Sequence, residues 1–82
     1  MKYEIELKPK AIKDLDSLQP KDAQRIIGRI KQMENDLKGD VKRLTNFTPE
    51  YRLRVGDFRV LFEVAGNRLT IYRIVNRRDA YR

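Results

Sequence analysis

The residues of this 82-residue chain best equipped for chemistry are its arginines, and they are unevenly placed. Residues 51–82 carry eight arginines and no lysine, while all eight lysines lie in residues 1–50. Lysine is a mobile point charge; arginine is a planar fork that takes phosphate in two places and stacks on bases. Tyr51, Phe58, Phe62, Tyr72 and Tyr81 are interleaved with those arginines. A stretch of this kind suits a phosphodiester. The charge balance agrees. Residues 51–82 set eight cations against three acids, net +5, and residues 1–50 set eleven against nine, net +2. A total of +7 and an isoelectric point near 10 attract polyanions generally, and the split directs the polyanion to the C-terminal part.

Composition closes off other chemistries. The chain has no cysteine, hence no disulfide, thiol nucleophile or thiolate metal site. It has no histidine, the usual metal ligand and general base. No acidic cluster resembles a two-metal nuclease site, so neither metal nor cofactor is expected. No apolar run approaches the length of a membrane span, and the opening MKYEIELK is not a signal peptide. A soluble, cytoplasmic protein with no membrane partner is expected.

The elements that must position the arginines follow from periodicity. Residues 2–7 alternate, with Tyr3, Ile5 and Leu7 on one face and Glu4 and Glu6 on the other, which reads as a half-buried strand. Pro9 marks a helix start, and Ala11, Ile12, Leu15 and Leu18 give that helix an apolar stripe. Gln19-Pro20 interrupts it. Ile26, Ile27, Ile30, Met33 and Leu37 give a second helix, which Gly39 closes as its C-cap. Both stripes read as core. Residues 41–50 read as an irregular connection, pinned by Val41, Leu44 and Phe47 and broken by Asn46, Thr48 and Pro49. Strands over 50–55 and 58–64 join at Gly56-Asp57, a two-residue turn with glycine first, as type II′ prefers. A strand over 69–75 follows the turn Gly66-Asn67. The sum is a compact single α+β domain over residues 1–82, β-α-α-β-β-β, with an antiparallel sheet and the two N-terminal helices packed on it.

The first turn fixes a register. It pairs Val55 with Phe58, Arg54 with Arg59 and Leu53 with Val60. Arg52 shares the face of Arg54, so Arg52, Arg54 and Arg59 form a triangle, while Leu53, Val55, Phe58 and Val60 face the core. Like charges directly across a ladder are destabilising, so the cluster points to a bound anion. Carried through Gly66-Asn67, the register pairs Val64 with Leu69, Phe62 with Ile71 and Arg59 with Ile74, and brings Tyr72 and Ile74 to the arginine face. It sets Arg73 on the apolar face beside Val60, unless Arg73 snorkels past the sheet edge or the second turn is longer. Residues 76–82 can fold back over a face, with Tyr81 as an aromatic anchor.

Such a cluster is poor at proton transfer and good at stabilising charge that develops on a phosphate. RNA supplies its own nucleophile, the 2′-OH. Holding that hydroxyl in line and neutralising the phosphorane needs little acid–base equipment. The products would be a 2′,3′-cyclic phosphate and a 5′-hydroxyl.

The stretch YRLRVGDFRVLFEV, followed by IYRIVNRRDAYR, resembles the C-terminal half of RelE-type toxins of the RelE/ParE superfamily. The element order and the length extend the resemblance to the whole chain. It implies the toxin of a type II toxin–antitoxin module: a ribosome-dependent mRNA endonuclease that enters the 30S A site, cleaves the message there and inhibits translation. It implies a RelB-like antitoxin as partner, and operator DNA bound only through the toxin–antitoxin complex, which represses its own operon. By the same resemblance Arg52 and Arg54 grip phosphate and help activate the 2′-OH. Arg59 stabilises the transition state. Arg77 assists the leaving 5′-oxygen, with Arg78 the neighbouring RNA-binding candidate, and Tyr81 stacks on or orients a nucleotide. Where relatives carry a lysine as candidate base this chain has Arg54, whose pKa lies above roughly 12, so the proton passes to water, to a ribosomal group or to Tyr81. Asn76 stands where a basic residue or histidine is usual. Two other readings use the same surface: a ParE-like inhibitor of DNA gyrase without nuclease activity, and a non-catalytic nucleic-acid-binding module. The set Arg52, Arg54, Arg59, Arg77 and Tyr81 favours the RelE reading.

Overall fold

The structure, a computed structural model, describes residues 2–46 and 48–79. Phe47 and Tyr81, which the sequence reading used, lie outside the described residues. β1 (Glu4–Leu7) forms where the alternation placed it. Lys8 is still extended, and Pro9 opens α1 (Pro9–Asp16), its fixed φ suiting the first helical turn. Ser17 follows the last turn, its hydroxyl donating to the Asp14 carbonyl at 2.7 Å. α2 (Pro20–Gln32) opens in the same way on Pro20. It ends at Gln32 with Met33 as its cap, so Gly39 does not close it. Asp36 and Leu37 carry the chain away in left-handed conformations, φ 60° and 55°. Gly39 meets a different need: at φ 122° its backbone passes so close to the sheet that a Cβ would lie 2.9 Å from Leu53 Cδ1.

Four more strands follow: β2 (Asp40–Arg43), β3 (Tyr51–Val55), β4 (Phe58–Ala65) and β5 (Arg68–Asn76), then a 3-10 turn, Arg77–Asp79. The sheet order is β1-β5-β4-β3-β2. The α+β class holds, and β2 is a strand that the periodicity did not mark. It lies antiparallel to β3 at the edge, Asp40 opposite Arg54 and Lys42 opposite Arg52. Its sequence, DVKR, has one apolar residue among three charges, a composition that suits an exposed edge. At the other edge β1 runs parallel to β5, Ile5 beside Leu69 and Leu7 beside Ile71, so the sheet is mixed.

The first hairpin has the expected register: Val55 opposite Phe58, Arg54 opposite Arg59, Leu53 opposite Val60. The second begins as expected, with Val64 opposite Leu69 and Phe62 opposite Ile71, then shifts by one residue. Arg73 pairs with Leu61, Ile74 with Val60 and Val75 with Arg59, leaving Tyr72 as the extra residue of a bulge. This corrects two expectations: Ile74 enters the core, and Val75 rather than Ile74 stands beside Arg59. Arg73 does not sit beside Val60. It turns to α1, donating from Nε to Asp14 Oδ2 at 2.8 Å and from Nη2 to Oδ1 at 3.1 Å. The same carboxylate accepts the Ile74 backbone N–H at 2.9 Å. The reason lies at the sheet edge. β1 accompanies β5 only as far as Ile71, where the Lys8 N–H donates to the Ile71 carbonyl at 2.9 Å. Past that point Asp14 satisfies the edge that β1 no longer covers.

The core lies between the helices and one sheet face. Ala11, Ile26, Ile30 and Met33 pack on Leu53, Val55, Val60, Phe62, Leu69, Ile71 and Ile74. Tyr51 stacks on Phe62 at 5.5 Å between ring centroids. The helical stripes are narrower than their sequences suggest: Ile12 is 48% exposed and Ile27 39%. Among the described residues no helix is long and apolar enough to cross a membrane.

Two stability measurements check this account. Gly28 is inside α2, and a Cβ there would meet nothing within 4 Å. Gly28→Ala is expected to raise unfolding free energy by about 0.5–1 kcal/mol in urea titration. Asp14→Ala leaves the Ile74 N–H and Arg73 without their acceptor and is expected to cost about 2 kcal/mol. A loss under roughly 0.5 kcal/mol would mean that water closes the β5 edge equally well.

Candidate functional site

The sheet face turned away from the helices carries the cations in rows. Alternation and register put Asp40, Arg54, Arg59 and Val75 side by side across β2, β3, β4 and β5. Lys42, Arg52, Leu61 and Arg73 form the next row. The triangle of Arg52, Arg54 and Arg59 is therefore present in the backbone register, but its members are not equally available.

Arg52 is engaged. Its Nη1 donates to the Asp40 carbonyl at 2.7 Å and to Asp40 Oδ1 at 3.1 Å. Its side chain is only 14% exposed, against 58% for Asp40. Arg59 folds back over the turn, Nη1 donating to the carbonyls of Phe58 at 3.1 Å and Gly56 at 3.3 Å, with no acid at salt-bridge distance among the described residues. Arg54 is exposed and has no hydrogen-bond or ion-pair partner among the described residues. Its cross-strand neighbour is Arg59, and like charges in that relation are destabilising.

Arg77 reaches the same end of the sheet from β5. Asn76 pairs with Phe58, and the Arg77 backbone N–H donates to the Asp57 carbonyl at 2.7 Å. This bond ties the start of the 3-10 turn to the Gly56-Asp57 turn. The Arg78 N–H donates to Asn76 Oδ1 at 3.3 Å. A depression of about 360 Å³ opens there, lined by Asp57, Asn76, Arg77 and Arg78. Of the residues singled out from sequence, the structure thus gathers Arg54, Arg59, Arg77 and Arg78 around one turn, with Arg52 one row away. Tyr81 is outside the described residues.

Two participants were missed by the sequence reading. Asp40 was hidden because β2 was. Arg25 of α2 comes to the turn from the helix side: a Cβ on Gly56 would lie 3.1 Å from Arg25 Nη1, 3.4 Å from Cζ and 3.5 Å from Nη2. A signal for it exists in the spacing Lys21, Arg25, Arg29, a like-charge ridge along one helix face.

The opposite end of the face is acidic. Glu63 and Glu6 flank Thr70, and Tyr72 of the bulge stands beside them with Lys8 Nζ 5.7 Å from its ring centre. The Glu63 carboxylate raises the Tyr72 pKa above its ordinary value, helped by desolvation, a hydrogen bond to Glu63 and the charge of Glu6. Tyr72 is on the arginine face, as expected, but it is a held proton rather than a base at neutral pH.

A model of the family described as the ParE toxin of the type II toxin–antitoxin system parDE matches residues 5–81. Toxin RelE3 of Methanocaldococcus jannaschii is 38% identical over 47 residues, 57% of this chain and 53% of that protein, so the chain aligns with about half of that relative. A second protein of that organism, provisionally named toxin RelE1, is 33% identical over 84 residues, 96% of this chain and 93% of that one. The crystal structure of the RelB-RelE antitoxin-toxin complex from Methanococcus jannaschii superposes with a TM-score of 0.73 at 28% identity, covering 88% of this chain and 89% of that chain.

The Tyr72 environment has a measurable consequence. A phenol whose folded-state pKa is raised lends stability below its unfolded value near 10, and that stability is lost as pH rises through the folded value. Ultraviolet titration of the native protein, taken as the difference between wild type and Tyr72→Phe, is expected to give a midpoint above 10. Glu63→Gln is expected to lower it. An unmoved midpoint in Glu63→Gln would refute the assigned cause.

Proposed function

The chain belongs to the RelE/ParE superfamily of type II toxin–antitoxin toxins, and from that premise we propose that it is a ribosome-dependent mRNA endonuclease of the RelE kind. The observation that supports this most is the pair Arg54 and Arg59. The two arginines are cross-strand partners with no acid at salt-bridge distance from either among the described residues, beside Arg77 at the same sheet end. A phosphodiester laid over the Gly56-Asp57 end would relieve that repulsion and take donors from several directions.

In this reading Arg54 holds the scissile phosphate. Arg59 stabilises the charge of the phosphorane, and Arg77 assists the departing 5′-oxygen. Arg52, tied to Asp40, acts as a secondary grip and keeps Arg54's row in place. Arg78 adds charge along the strand, and Tyr81 stacks on a nucleotide. The 2′-OH attacks in line, its proton leaving to water or to a group outside the face, and the products are a 2′,3′-cyclic phosphate and a 5′-hydroxyl. Positioning and charge neutralisation supply the rate, which agrees with a reaction confined to places where the ribosome already orders the message. A RelB-like antitoxin is the partner, by likeness to the Methanococcus jannaschii complex. The ParE wording of the matching family model keeps one other reading, inhibition of DNA gyrase on the same fold.

Translation in vitro with primer extension on the message separates the two. Cuts confined to translated message are expected. Intact message together with trapped gyrase–DNA complexes would replace the endonuclease reading by the gyrase one. Arg59→Ala and Arg77→Ala are each expected to lower the cleavage rate by about 10²-fold or more and to relieve growth arrest, with the thermal midpoint unchanged. Undiminished cleavage in both would remove the assigned site.

A further inference from the structure

We propose that Arg25 of α2 is a second phosphate grip, taking a phosphodiester next to the one held at Arg54 and Arg59. The proposal rests on the phosphodiester reading of that site. Three elements bring arginines to one two-residue turn. Arg59 of β4 donates to the Gly56 carbonyl, Arg77 beyond β5 donates from its backbone to the Asp57 carbonyl, and Arg25 of α2 covers the Gly56 Cα. Three Arg25 atoms at 3.1, 3.4 and 3.5 Å from one point place the guanidinium flat against the turn. A flat guanidinium turns its N–H edge sideways, and that edge has no taker: Arg25 is exposed and has no hydrogen-bond or ion-pair partner among the described residues. Asp22, one turn before it on α2, is not within salt-bridge distance.

The turn fixes Arg25 cheaply. Gly56 sits at φ +57°, where glycine alone is unstrained, and the missing side chain leaves the space that the guanidinium fills. A preformed, unpaired arginine fork matches a bidentate oxyanion. Phosphodiester is favoured over a protein carboxylate because Arg25 adjoins the Arg54–Arg59–Arg77 end without a break. A strand crossing the Gly56-Asp57 edge meets Arg54 and Arg59 on one side of the sheet and Arg25 on the other.

The test uses equilibrium binding of the intact protein to a short 2′-O-methyl oligoribonucleotide, which cannot be cut, over a range of salt concentrations. Arg25→Ala is expected to weaken binding about tenfold and to reduce the slope of log affinity against log salt by about 0.7, one single-strand phosphate contact. Arg25→Lys keeps the charge and is expected to restore the slope while recovering only part of the affinity. An Arg25→Ala protein with an unchanged slope would overturn the proposal, as would a loss confined to thermal stability or to antitoxin binding, or a wild type that does not bind. Because the probe is never cleaved, failure of the endonuclease reading is seen separately, as intact message in the translation assay.

Discussion

A reversal of chain direction completed within two residues governs the rest of this molecule. Gly56 takes a left-handed φ of +57° and Asp57 does not, the combination that a type II′ turn requires. The consequence reaches through the whole sheet, because side chains alternate faces along each strand. One additional residue in the turn would flip β4 against β3, sending Arg59 inward and Val60 out to water. An unpaired guanidinium in the core costs a large share of the stability of a small domain. The core and the cationic face therefore specify the same register, each forbidding what the other would suffer from.

The parts of this fold that could be read in advance are those set by neighbouring residues. Glycine at the first turn, strict alternation on both sides of it and proline at two helix starts all act over a few positions. The parts that could not be read depend on remote partners. DVKR becomes a strand only because β3 offers it a free edge. The bulge at Tyr72 left a trace, since the apolar positions of β5 run 69, 71 and then 74, a break of phase that alternation alone does not produce. Its cause is tertiary: the slip lets Ile74 reach the core and lets Arg73 meet Asp14, fifty-nine residues away.

The same division applies to the cationic face. The residue types and their shared side were legible. Which charges are free was not, because neutralisation comes from elements that periodicity either missed or treated as scaffold. Arg52 is tied by a carboxylate of the unread strand, and Arg73 by one on α1. Arg25 belongs to a helix whose apolar stripe drew attention to its other face. Among the described residues the unbound arginines are a smaller set than eight suggested: Arg54, Arg59, Arg77 and Arg78 gather at one end, while Arg68 lies toward the end that holds Glu63 and Glu6. A polyanion meeting this surface finds a direction in it as well as a charge.

The pairing of β1 with β5 joins residues 4–7 to residues 68–71, nearly the full span of the chain. Contacts of such long sequence separation form late, because so much loop must be closed before they contribute. β1 has no partner other than β5 in the sheet, and Asp14 has nothing to close until Arg73 and Ile74 exist. During synthesis, then, the first strand and first helix wait for the last strand, and the cations at residue 77 and beyond are made after that. A partly synthesised chain cannot present the assembled face, whatever that face acts on. The topology itself postpones the assembled face until β5 has been made.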